Sequence, residues 1–228
     1  MALPRRHTAR LPLALLDANV LIPHVRGDAL LTAAALGLYE PVLSAHVLDE
    51  ARRHLSGNGA RRLEMAAAFF ADQFVVGYEA AIPHMPLQRT PEDRHVLAAA
   101  LAARADFIVT DEVDLATDVN ALGLGITAVT AEDFVRHLEA LAPGALDAIA
   151  DGMAGRRKKP PVTRADMLVL LLGEHGFPGM AAPRTVSPGP PPAPGPPPAP
   201  GSPVPVGGGR HLVRAHLRAG RPVRSYTR

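Results

Sequence analysis

The chain has 228 residues, 47% hydrophobic and 20% charged, enough for one full core with appendages but not for two. It has no cysteine, which excludes a disulfide frame, a thiolate nucleophile and a sulfur-based zinc site, and makes a reducing cytoplasm the expected compartment. The net charge of +2 is unevenly spread: of 24 Lys and Arg, seven arginines and no acid lie from Arg184 onward, leaving 17 basic against 22 acidic residues before it. A basic tail neutralises polyanions directly, whereas an acidic body attracts phosphate only through a cation, so the two regions point to different tasks.

Arg5, Arg6 and Arg10 precede the apolar Leu11-Pro12-Leu13-Ala14-Leu15-Leu16 as in a signal peptide, but Asp17 and Asn19 cut the run short. A buried first strand is expected there. Residues 28–38 carry leucine and alanine at helical spacing, and Pro41-Val42-Leu43 is a short extended segment. Ser44 reads as a helix cap, with Val47, Leu48, Ala51 and Leu55 on one face. Ser56-Gly57-Asn58-Gly59 is expected to end that helix, residues 61–72 to form another, and Phe74-Val75-Val76 to form a strand. Thr90-Pro91-Glu92-Asp93 starts an alanine-rich helix running to Arg104. Phe107 to Thr110 is a buried strand, residues 125–130 are another, and residues 131–141 form a closing helix.

This alternation predicts an α/β fold, a three-layer α/β/α sandwich around a mainly parallel sheet. The domain is expected over residues 11–141, followed by a helical extension over 142–182, with a basic hinge at 156–161 and a helix near 163–173. Residues 183–205 hold twelve prolines among glycine and alanine, a composition that favours a disordered linker, here drawn over 183–209. A basic tail over 210–228 has no expected fold. No run approaches the roughly 18 apolar residues of a membrane span, so a soluble protein without membrane partners is expected.

The chemistry lies in the acids. Asp17 ends the first strand, Glu50 lies on the helix after Ser44, Asp93 opens the alanine-rich helix, and Asp111, Glu112 and Asp114 follow Thr110. In open parallel sheets ligands bind beyond the carboxyl ends of strands, where Asp17 and the acids after Thr110 fall. Acids gathered at one point repel one another, so gathering them makes sense around a cation, and oxygen ligands suit magnesium or manganese. Such an ion activates water for phosphodiester hydrolysis. The ligand candidates are Asp17, Asp93 and Glu50, with Asp111, Glu112 or Asp114 as the fourth; the shorter aspartates rank above Glu112. Each acid also has an ordinary reading: Asp93 completing a capping box with Thr90, Asp17 capping a turn, Glu50 on a solvated helix edge, and residues 111–118 as an acidic loop.

Leu16-Asp17-Ala18-Asn19-Val20-Leu21-Ile22, Leu48-Asp49-Glu50, Pro91-Glu92-Asp93-Arg94-His95-Val96-Leu97-Ala98-Ala99-Ala100 and Asp106-Phe107-Ile108-Val109-Thr110 together resemble the PIN domain, a metal-dependent ribonuclease fold that includes VapC-type toxins. The resemblance covers residues 11 to about 141. It implies an endoribonuclease that acts on RNA with Mg2+ or Mn2+ held by Asp17, Glu50, Asp93 and an acid after Thr110, with Asn19 and Thr110 as supporting polar residues. Toxin members have an antitoxin protein as partner, and small nucleases of this kind are often homodimers, for which the apolar 30–38 helix is a candidate face. The departure is at the fourth acid, where Thr110 is followed by Asp111-Glu112-Val113-Asp114; Asp114 enters the catalytic set beside Asp17, Glu50 and Asp93.

Arg52, Arg53, Arg94 and His95 lie beside Glu50 and Asp93; contact with substrate phosphate, for which Arg52 and Arg94 are the candidates, is set against the more common reading of surface ion pairs. His24, His46, His54 and His84 show no metal spacing, and no glycine-rich phosphate loop is present. A haloacid dehalogenase type of phosphatase would need an aspartate at position 19, which is asparagine. The non-enzyme alternative is an inactive PIN-like module that binds RNA or protein.

Overall fold

The computed structural model describes residues 10–157 and 160–181, together with the backbone of Leu217–Arg218 and Arg221–Pro222. Four short strands, β1 (Leu13–Leu16), β2 (Glu40–Val42), β3 (Phe107–Val109) and β4 (Thr127–Val129), form one sheet in the order β2-β1-β3-β4, all neighbours parallel. Parallel neighbours need crossovers, and helices supply them. Ala14, Leu15 and Leu16 are fully buried in succession. Because consecutive side chains point to opposite faces of a sheet, both faces of β1 must be covered. The α/β architecture expected from the alternation is the one observed.

Helices α1 (Ala18–Leu21) and α2 (His24–Ala35) follow β1, α3 (Ala45–His54) and α4 (Gly57–Phe69) follow β2, and α5 (Arg94–Ala103) leads into β3. Three further helices, α6 (Val113–Leu122), α7 (Ala131–Leu141) and α8 (Ala145–Arg156), precede α9 (Arg164–Leu171). The side chain of Ser44 caps α3 by accepting from the Val47 amide, and Thr130 caps α7 through the Asp133 amide. Such caps each contribute about 1 kcal/mol. Thr163 and Asp166 close a reciprocal capping box on α9. Helix α5 packs on β1 and β3 through a buried stripe that includes Val96, Leu97 and Ala100, while α2 packs against α7, α8 and α9.

Several expectations are corrected. Helix α2 starts four residues before residue 28, and Leu30 and Leu31 are buried against its neighbours, while Leu36 is strongly exposed. Ser56 to Gly59 do not stop a helix: the break is at Leu55–Ser56, and Gly57 already begins α4. Residues 74–76 form a single parallel bridge, Leu43 to Phe74, rather than a strand. The acidic stretch after Asp111 is mostly helix α6, and α8 falls within the helical extension expected over 142–182, although no individual helix was drawn there. Helix α8 lies close to α2 where it carries Gly152, whose added Cβ would meet Thr32 Cγ2 at 2.8 Å.

The segment after α9 returns to the core. Met167, Leu171 and Phe177 are fully buried, and the Phe177 amide donates to the Leu171 carbonyl. Among the described residues no helix is long and apolar enough to cross a membrane. The proline-rich linker lies outside the described residues. In the basic tail, Leu217–Arg218 and Arg221–Pro222 pair as antiparallel strands β5 and β6, a local hairpin that its sequence had not suggested.

Gly176 is buried, and a Cβ on it would stand 2.1 Å from the Leu171 carbonyl oxygen, a clash with backbone. We expect Gly176→Ala to lower stability by about 1–3 kcal/mol, seen as an earlier urea midpoint. An unchanged midpoint would refute this close approach.

Candidate functional site

Parallel pairing of β1 with β3 places their carboxyl ends side by side, Leu16 opposite Val109. The Asp17 amide extends the ladder by donating to the Val109 carbonyl at 3.0 Å. Asp17 thereby meets Thr110, 93 residues away in sequence, at hydrogen-bond distance. The Asp17 carboxylate is 4% exposed and takes three donors: the Ala18 amide on Oδ1 at 2.7 Å, and Asn19 Nδ2 and Thr110 Oγ1 on Oδ2, each at 2.8 Å. Asn19 Nδ2 also donates to Thr110 Oγ1 at 2.9 Å, while its Oδ1 accepts from the Asp111 amide at 3.0 Å. With both ends of the Asn19 amide engaged, its orientation is fixed.

Three donors favour the ionised form, yet the Asp17 pKa is raised from 3.8 to about 6. Burial is the main cause, and the charges of Glu50 and Glu112 add to it against the opposing bonds from Thr110 and Ala18. Asp93 is likewise raised to about 6, first by burial, then by the charges of Asp17, Glu92 and Glu50, with His95 acting in the opposite direction. The structure thus brings Asp17, Glu50 and Asp93 into one field.

Asp93 stands at the start of α5, but its side chain caps nothing. Thr90 does not cap either, and its buried Oγ1 has no hydrogen-bond partner among the described residues. The capping-box reading of Asp93 is therefore corrected, and its carboxylate is left to the cleft. Glu50, half-buried on α3, faces His95 Nε2 at 3.5 Å. His95 Nδ1 lies 2.9 Å from the Glu92 carbonyl, an acceptor, so that nitrogen carries the proton. These side chains line a cleft of about 410 Å3 whose walls include Glu50, Glu92, Asp93, Arg53, His46 and His95. His46 is held by Tyr78, whose hydroxyl lies 2.7 Å from His46 Nδ1.

The acids after Thr110 separate. Asp111 has both oxygens engaged, Oδ2 with Arg26 Nη1 at 2.6 Å and Oδ1 with the Ala131 amide at 3.0 Å. Asp114 is exposed and lies 3.6 Å from Arg89 Nη1. Glu112, whose amide donates to Thr110 Oγ1 at 3.0 Å, is the one whose charge presses on Asp17. The sequence ranking of Asp111 and Asp114 above Glu112 runs against this placement.

Arg52 bridges Asp49 and Glu64, each at 2.7 Å, and so ties α3 to α4. Arg94 donates to the Leu87 carbonyl at 3.3 Å. Neither lines the cleft, whereas Arg53 does. Of the four residues weighed for phosphate contact, Arg53 and His95 line the cleft, and His46, which had no such reading, joins them from the exposed side of α3. As the side chains stand, no group of three acids or histidines among the described residues is close enough to hold one ion. The donor set is nonetheless all oxygen and carries excess negative charge, which suits a hard divalent cation.

Residues 14–114 match the family model described as PIN domain. No curated protein and no solved structure matches the chain significantly. PIN domains are generally nucleases, act on RNA and typically use divalent metal ions. The parallel sheet agrees with that match, and together they place residues 14–114 with the PIN domains.

Proposed function

We propose that the chain is an endoribonuclease that hydrolyses RNA phosphodiester bonds with Mg2+ or Mn2+ held by Asp17, Glu50, Asp93 and Glu112. The observation that carries this reading is the shared field of Asp17 and Asp93: two carboxylates from separate elements, both raised to about 6 by burial and like charge. Ionising buried Asp17 in the apo fold costs roughly 3 kcal/mol relative to a solvated carboxylate, and a cation would offset that. When bound, a divalent ion supplies Lewis acidity to the phosphodiester and to water. The chain's own part is orientation. Thr110 and Asn19 fix Asp17, and Arg53 on the cleft wall would meet substrate phosphate.

The competing reading, a PIN-fold module that binds without cleaving, draws on the absence of three converged ligands among the described residues. It differs in its response to metal. Under the nuclease reading, Mn2+ raises the melting temperature and supports cleavage of single-stranded RNA; under the other, neither occurs.

We expect Asp17→Ala and Asp93→Asn each to lower Mn2+-dependent cleavage by at least about 100-fold, since even outer-shell changes cost 10–100-fold. Asp93→Asn should keep or raise the stability of the metal-free protein at pH 7, because it removes an ionised group that the fold disfavours. A metal-independent activity, or full activity in both variants, would exclude the proposal.

The sign of the pH effect follows from the raised values. Between the ordinary 3.8 and about 6 the folded state holds more protons than the unfolded one, so the contribution of Asp17 and Asp93 to metal-free stability falls as pH rises through that window. Protons compete with the cation over the same range. Calorimetric Mn2+ affinity should therefore weaken as pH drops from 7.5 to 5.5; a flat profile would count against Asp17 and Asp93 as ligands.

A further inference from the structure

Arg26 links two parts of the chain that the family match treats separately. It projects from α2, within the matched residues, and its Nε donates to the Gly176 carbonyl at 2.9 Å, well beyond them. Its Nη1 donates to Asp111 Oδ2 at 2.6 Å, and both side chains are less than one-third exposed. The Asp111 amide donates to Asn19 Oδ1 at 3.0 Å, and Asn19 Nδ2 donates to Asp17 Oδ2 at 2.8 Å. Four hydrogen bonds in series thus run from the C-terminal segment to the buried carboxylate.

We propose that Arg26 and Asp111 are positioning residues through which the C-terminal segment 173–181 sets the orientation of Asn19 and hence of Asp17. The segment has a firm seat of its own. Phe177 is fully buried, the Gly179 amide donates to Glu132 Oε2 at 2.9 Å, and Gly176 packs too closely on Leu171 to accept a Cβ. The Gly176 carbonyl is therefore a fixed acceptor, and Arg26 carries that fixity forward. At the other end, Asp111 is held by Arg26 on one oxygen and by the amide that begins α7 on the other, so the peptide that orients Asn19 has little freedom. Supporting groups of this kind govern how well a carboxylate is presented to a cation. The metal-binding part of this inference rests on the nuclease reading; the orientation of Asn19 does not.

The test compares wild type with Arg26→Met, Arg26→Lys and Asp111→Asn, using the full chain. The first readout is solvent exchange of the Asn19 side-chain amide protons by NMR in the metal-free protein, and the second is Mn2+ affinity by calorimetry. Arg26→Met should speed Asn19 exchange at least 10-fold and weaken Mn2+ binding about 10-fold. Arg26→Lys, which keeps the charge, should recover part of both. Asp111→Asn should match Arg26→Met, and the double variant should be no worse than either, as expected for one coupled chain. Unchanged Asn19 exchange in a folded Arg26→Met protein overturns the inference whatever the metal does. A loss of Mn2+ affinity in Asp111→Asn far exceeding that in Arg26→Met also overturns it, because Asp111 would then be a ligand. Wild type that binds no Mn2+ while its Asn19 exchange still depends on Arg26 overturns the nuclease reading and leaves the positioning chain standing.

Discussion

A carboxylate buried at the end of the first strand, within reach of other negative charges, is the constraint around which this fold is arranged. Asp17 accepts three hydrogen bonds and still holds its proton to about pH 6, because burial and the charges of Glu50 and Glu112 outweigh the donors. A neutral pocket would need none of this. The donors keep the side chain from rotating away, and the neighbouring acids keep its charge unfavourable. Together they make a carboxylate that is held in one orientation and disfavoured when ionised.

The sheet produces this situation through register. Pairing Leu16 with Val109 puts Asp17 beside Thr110, and α5, seated on β1 and β3, delivers Asp93 at its amino end. Glu50 arrives on α3, whose buried Val47, Leu48 and Ala51 set the helix's rotation. Displacing any of these packing contacts would change the distances between charges before it changed the charges themselves. Apolar packing therefore fixes the electrostatics, and the C-terminal helices belong to that packing: α8 and α9 cover α2, and Phe177 closes the group.

The parts legible in the sequence were those with a local physical signature. An apolar run ended by Asp17, a serine before a helical stripe at 44–55, and the Ala131-Glu132-Asp133-Phe134-Val135 start of a closing helix each announced an element that is present. Helix α8 carried no such signature: its alanines and glycines form no marked apolar stripe, and Gly152 matters only because Thr32 lies against it. Ser56-Gly57-Asn58-Gly59 looked like a terminator because glycine and asparagine favour turns, but Ser56 is where one helix hands over to the next. For the site, the positions of Asp17, Glu50 and Asp93 were readable from spacing. The placement of Arg26 depends on partners 85 and 150 residues away, and which of Arg52, Arg53, Arg94 and His95 meets the cleft depends on helix rotation; spacing encodes neither.

The acids after Thr110 differ in direction as well as in length. Ranking them by side-chain length favours aspartate, but direction decides first. Thr110 continues the ladder from β3, its amide donating to the Val129 carbonyl, and Glu112 is still extended at φ −80° and ψ 111°. In extended chain alternate side chains share a side. Thr110 points to Asp17, Asp111 turns the other way to Arg26 and the start of α7, and Glu112 returns toward Asp17. The charge of the longer acid thus acts on Asp17, while the shorter one is tied to Arg26 and the start of α7. Asp111 is shielded by an arginine and an amide where it would otherwise add a further negative charge to a crowded field. With that charge tied elsewhere, Asp17 shares its repulsion with Glu50, Glu112 and Asp93.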